Sequence, residues 1–162
     1  MWIAIGITLL CFGMAIHPIL SLVPTKAQKH KIKMRQAAFA QGLSIDIRLP
    51  EIDESLQNQY DFSEQAIYRL QPDRALETPY LLALRSKVSG DWFWVKEQRP
   101  PAKLIEPLIV LYNQLPDKIK AVEHSEVGSG VCFNEFGSVD QLTTLKAHLS
   151  DLNQLFLDAQ NE

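Results

Sequence analysis

Only two cysteines, Cys11 and Cys132, stand among the 162 residues, which excludes a disulfide-stapled scaffold. Seven glycines and nine prolines are too few for a collagen-like or low-complexity chain. Positive charge is not in excess, because the net charge is −3 with neutral histidines, and this excludes a strongly basic, general nucleic-acid binder. The chain holds 46% hydrophobic and 22% charged residues, so it is not a disordered acidic tail either.

The motifs of common chemistry are missing as well. There is no GxxxxGK[ST] to cradle phosphates and no GxGxxG. Val127-Gly128-Ser129-Gly130 lies between two expected strands, the place of a hairpin tip rather than of a phosphate loop opening a helix. HExxH, CxxC and HxxxH are absent, so no metal-ligand spacing stands out. His124 and Cys132 could face each other across the last hairpin, but no third soft ligand and no orienting group for a base is close in sequence. The sequence therefore names no catalytic, cofactor-binding or metal-binding residue.

What is present is a partition of charge. Residues 1–25 contain no Lys, Arg, Asp or Glu. Lys26, Lys29, Lys31, Lys33 and Arg35 follow without an acid, and residues 36–162 carry 11 basic against 19 acidic side chains. Trp2 to Val23 is apolar on every side, and as a helix of 22 residues it would measure about 33 Å against about 30 Å of hydrocarbon. Its apolar run is too long for a signal peptide, and Ser21-Leu22-Val23-Pro24 is a poor cleavage site. The reading is an uncleaved anchor over 1–24 that holds the chain in a bilayer. The five cations lie after it and none before, so the positive-inside rule places the remainder in the cytoplasm at the inner membrane, with the N-terminus outside. The same five cations are candidate contacts to a membrane surface of anionic headgroups. Gly6 and Gly13 are seven residues apart and share a face, which admits a weak homodimer without a GxxxG motif.

Beyond the anchor, residues 25–42 read as a basic juxtamembrane helix stopped by Gly42. Residues 43–158 read as an α+β domain. Leu43, Ile45, Ile47 and Leu49 alternate with Ser44, Asp46 and Arg48 as in a half-buried strand ended by Pro50. Residues 50–65 read as a loop with room for one helical turn, and 66–70 as a short strand. Pro79–Val88 and Trp92–Glu97 read as a hairpin joined by Ser89-Gly90-Asp91. Leu104, Leu108, Leu111, Tyr112 and Leu115 recur at helical spacing, with the helix expected from about Glu106 because Pro107 suits a first turn. Strands at 119–123 and 131–136, joined by a Gly/Ser-rich loop over 125–130, precede a last helix at about 139–157 that Ser138 would cap. Segments 83–115 and 121–155 share one layout, which suggests tandem ββα units with helices on one face of a small antiparallel sheet.

Trp92-Phe93-Trp94 is the most distinctive soluble stretch. Alternation puts Trp92 and Trp94 on one face and Phe93 on the other. Either the tryptophans are core, or they form an exposed candidate interaction surface for a protein partner.

The stretch ILSLVPTKAQKHKIKMRQAAFAQGLSIDIRLP, an uncharged span, a basic helix, Gly-Leu and an alternating strand, resembles a group of uncharacterised single-pass inner-membrane proteins of proteobacteria. The resemblance extends to Tyr68-Arg69-Leu70, the tryptophan hairpin and the final hairpin plus helix, and it implies a location rather than an activity. The first 50 residues are also similar to the translocase-associated membrane protein YajC, although Arg-Pro-Gln after the span is missing and the soluble part is longer. That similarity implies an accessory role at the preprotein translocase. The expectation is a membrane-anchored, non-enzymatic protein-interaction domain; an accessory role at the translocase and an enzyme with an unrecognised site are the alternatives.

Overall fold

A computed structural model of the chain describes residues 24–161, apart from 49, 51, 54, 55, 57, 58, 61, 63, 64, 96, 97 and 136. The expected anchor falls almost wholly on residues 1–23, outside the described residues. Among the described residues no helix is long and apolar enough to cross a membrane.

The first helix, α1, runs Lys26–Ala40. A capping box starts it: the Gln28 amide donates to Thr25 Oγ1 at 3.2 Å, and the Thr25 amide donates to Gln28 Oε1 at 2.8 Å. Gly42, at φ +80°, closes it and turns the chain into a strand. Six strands follow: β1 (Leu43–Asp46), β2 (Gln65–Leu70), β3 (Leu81–Arg85), β4 (Trp92–Val95), β5 (Ala121–Ser125) and β6 (Gly128–Asn134). Helix α2 (Ala102–Asn113) lies between β4 and β5, and α3 (Asp140–Gln160) follows β6. All strand pairs are antiparallel, in the order β1-β2-β6-β5-β3-β4. The fold is thus α+β.

Strand–strand–helix occurs twice in succession, as β3-β4-α2 and β5-β6-α3. The first strands of the two runs pair directly, Leu81 opposite His124 and Leu84 opposite Ala121, so the two hairpins share one continuous sheet. Alternation then sorts the side chains. Leu43, Ala66, Tyr68, Leu81, Ala83, Trp92, Val122, Val131 and Phe133 meet Met34 and Ala38 of α1, Leu104, Leu108 and Tyr112 of α2, and Leu142, Leu145, Leu149, Leu152 and Phe156 of α3. All three helices therefore cover one face. The opposite face carries a smaller core of Ile67, Leu82, Leu84, Val95, Ala121 and Cys132, roofed by Ile52, Tyr60 and Phe62 from the β1–β2 connection.

Several boundaries differ from those expected. Helix α2 begins at Ala102 and includes Pro107 in its interior. Proline there forgoes one backbone hydrogen bond, yet the extra turn buries Leu104 under the sheet. The β3–β4 loop is Ser86–Asp91 rather than three residues, because Ser86 Oγ accepts from the amides of Val88 at 3.3 Å and Ser89 at 3.2 Å and bends the chain early. The Gly/Ser-rich segment is mostly strand. Only Glu126 and Val127 turn, and Ser129 and Gly130 pair with Leu70 and Arg69 of β2. Val139, not Ser138, occupies the N-cap of α3, with no side-chain hydrogen bond.

Gly128 shows why glycine is needed at this corner. Its φ is +122°, and an added Cβ would lie 2.2 Å from the Leu70 carbonyl oxygen and 2.9 Å from Pro72 Cδ. Gly128→Ala should lower stability by about 2 kcal/mol, from the backbone conformation and the forced parting of β2 and β6. Chemical denaturation checks this, with Gly90→Ala, a strained φ of +78° but open space, as the milder comparison.

Candidate functional site

The face opposite α1, α2 and α3 carries a cleft of about 330 Å³ between β1, β2 and β5, lined by Asp46, Arg48, Pro50, Ile67, Arg69, Tyr80 and Glu123. Glu123 sits at its floor, 4% exposed. The Arg69 guanidinium donates to Glu123 Oε1, through Nε at 3.0 Å and through Nη2, and the Tyr80 hydroxyl donates to Oε2 at 3.1 Å. Room for this carboxylate comes from Gly130, the residue opposite Glu123, where an added Cβ would stand 3.0 Å from Glu123 Oε1 and from Ile67 Cγ2. At the rim, Asp46 accepts from the Arg48 backbone amide at 2.9 Å and from its guanidinium at 3.2 and 3.3 Å. These bonds hold the Asp46 carboxyl below its ordinary range. Burial, reinforced by the Glu123 charge, raises the Tyr80 hydroxyl and keeps it protonated.

The cleft thus presents two cations and two anions in fixed pairs, with a phenol beside them. Cys132 lies on the same face, buried, with its thiol pushed up to about 12 by burial and by the nearby Glu123 charge. In a Cys11→Ser variant, the native protein should alkylate at Cys132 about a thousandfold more slowly than a free thiol, from the thiolate fraction alone. Thiol titration with and without denaturant measures this.

His124 and Cys132 do not face each other; they project from opposite faces of the sheet. His124 is fully enclosed on the helical side, with Nε2 2.6 Å from the Tyr112 hydroxyl and Nδ1 2.7 Å from Ser129 Oγ. The Ser129 amide donates to Asn153 Oδ1 at 2.8 Å, and Asn153 Nδ2 donates to the Leu70 carbonyl at 2.9 Å. A serine, a histidine and a tyrosine in line have the outline of a nucleophile with its base. All three are 0% exposed, however, so no substrate reaches them. Burial lowers His124 to about 3, so it is a neutral structural imidazole. No group of three His, Cys, Asp or Glu positioned for a metal occurs among the described residues.

The expected tryptophan surface lies beneath the helices. Trp92 is 8% exposed, its ring 5.0 Å from that of Tyr112, while Trp94 is half-buried at 5.8 Å from the same ring. Alternation gave the face correctly, and the position of α2 makes that face core. Phe93, on the other side, is the exposed member of the three.

The five cations of α1 divide. Lys26, Lys29 and Lys33 are exposed, and Lys31 is half-buried and engaged. Arg35 points inward and forms a bidentate pair with the buried Glu135, at 2.5 Å from Nε and 2.7 Å from Nη2. Arg35 therefore serves the domain rather than a membrane surface.

No family model, curated protein or solved structure matches the chain.

The functional reading therefore rests on the residues themselves. Sequence reasoning missed the cleft. Its one local signal is Glu123, a charge within an expected strand, next to Ala121 and Val122. Such a charge demands a partner, and only the β2–β6–β5 order brings Arg69 to it.

Proposed function

We propose that the chain is a membrane-anchored, non-enzymatic binding domain that presents the sheet face opposite α1, α2 and α3 to a protein partner in the cytoplasm. The observation that carries this reading is the charge-free run of 22 residues from Trp2 to Val23, ending two residues before the capped start of α1. Such a run fits a bilayer anchor, and the lysines after it favour an inward-facing domain. The fixed charge pairs of the cleft suit recognition, since they offer complementary donors and acceptors and no activated nucleophile. A role beside the preprotein translocase is the second reading, favoured by the order of α1 followed at once by β1, the order the YajC likeness implies.

The test is fractionation of cells producing the full chain, with a C-terminal reporter and a photo-cross-linker at Arg48 or Phe93. The expected result is retention in carbonate-washed membranes, a cytoplasmic reporter and one stoichiometric adduct. Adducts to channel subunits would select the translocase reading. A chain in the supernatant, or a periplasmic reporter, would overturn the anchor and its orientation.

A further inference from the structure

The outward face of α1 carries a pattern that neither the cleft nor the core uses. Met34 and Ala38 turn toward the sheet, while Ile32 and Phe39, two helical turns apart, are 48% and 61% exposed. Lys29 and Lys33 lie beside them on the same outward sector, and Lys26 lies on its flank. No Asp or Glu occurs before Asp46. An outward helix face with two large apolar side chains flanked by lysines and no acid is complementary in charge to the interface of an anionic bilayer.

The chain before the helix decides which occupant to assign. Thr25, at φ −64° and ψ 164°, is extended backbone that starts α1 as a new helix. With Pro24 before it, α1 does not continue any helix formed by residues 2–23, so it is free to turn into the membrane plane. We propose that α1 lies flat on the cytoplasmic leaflet, with Ile32 and Phe39 set among the acyl chain tops and Lys26, Lys29 and Lys33 at anionic headgroups. This rests on the anchor reading and extends it, because it fixes orientation. The sheet packs on the inward side of α1, so the opposite face with its cleft looks away from the membrane.

The test uses the full chain with Cys11→Ser, reconstituted in vesicles of phosphatidylcholine with or without phosphatidylglycerol. An environment-sensitive fluorophore is placed at Phe39→Cys or, as control, at Val88→Cys in the β3–β4 loop, where Val88 is 98% exposed. Vesicle flotation comes first: a chain that does not float removes the anchor reading and the inference together. If the chain floats, nitroxide-bearing lipid is expected to quench position 39 in anionic vesicles and to leave position 88 bright. Replacing Lys26, Lys29 and Lys33 with Gln should lower the ratio of surface-bound to lifted helix about fivefold per lysine, as should salt in the same direction. Position 39 quenched by aqueous iodide as readily as position 88, in chains that float, would overturn the inference and leave the anchor standing. Position 39 shielded from both quenchers would also overturn it, assigning the face to a second copy of the chain.

Discussion

Arg35→Ala should lower the unfolding free energy by about 3–5 kcal/mol, far more than Lys33→Ala on the same helix, which should change it by less than about 0.5 kcal/mol. Glu135 is 2% exposed. Its carboxylate accepts two short bonds from Arg35 and one from the Tyr68 hydroxyl at 3.3 Å. Removing the guanidinium leaves a buried negative charge with one weak donor. Desolvation in the folded state is then no longer offset, while the unfolded chain keeps its hydrated carboxylate. The hydrogen bonds to Glu135 also raise the Arg35 pKa, so the cation is present at every accessible pH. Replacing both partners, Arg35→Ala with Glu135→Gln, should recover most of the loss, because no uncompensated charge remains. Urea unfolding of the four chains of this cycle decides the matter. A double variant as unstable as Arg35→Ala would show that the effect is packing of α1 and not the ion pair.

The pair is one of several contacts that fasten α1 to the domain. His30 Nε2 lies 3.0 Å from the Gly137 carbonyl, so two polar contacts and the buried Met34 and Ala38 fasten α1 to the end of β6 and the start of α3. In Arg35→Ala, amide exchange should accelerate over 26–40 before it does so in α3.

Much of this architecture was legible in the sequence, and the failures have identifiable causes. The helix formers before Gly42 and the spacing of Leu142, Leu145, Leu149, Leu152 and Phe156 act locally, through propensity, a glycine stop and helical periodicity, so they reveal α1 and α3 directly; the Thr25 capping box emerged only with the structure. Pro107 and Gly128-Ser129-Gly130 misled because local preference was overruled by tertiary contacts. Burial of Leu104 extends α2 past a proline, and pairing with β2 makes a strand of a Gly/Ser-rich run. Arg35 read as one cation among five, since no local rule marks which side of a basic helix will meet a Glu a hundred residues later. The cleft was illegible for the same reason: Asp46, Arg69, Tyr80 and Glu123 sit on separate elements that only the strand order unites.

Acidification from pH 6.5 to 5 should cost the fold about 2 kcal/mol through His124 alone. Burial among Tyr112, Ser129 and Phe156 lowers this imidazole from 6.5 to about 3 in the folded state. Its unfolded counterpart titrates near 6.5, so below that pH the unfolded chain binds a proton that the folded chain does not. The associated stability is fully present above 6.5 and declines as pH falls, by up to about 1.4 kcal/mol per unit, until about pH 3. Asp46 acts in the same direction but only below its ordinary value of 3.8, so the interval from 6.5 to 5 isolates the histidine from it. His124→Gln retains a donor and an acceptor for the two hydroxyls and carries no titratable proton. Its unfolding free energy should be lower than the parent's at pH 7.5 and nearly flat across this interval, so the two curves converge as pH falls. Thermal or urea unfolding at several pH values measures both slopes, and an equal slope in parent and variant would rule out His124 as the source. The same measurement bears on function, because a histidine that resists protonation to about pH 3 is closed to solvent, and only opening of the core could make it a base.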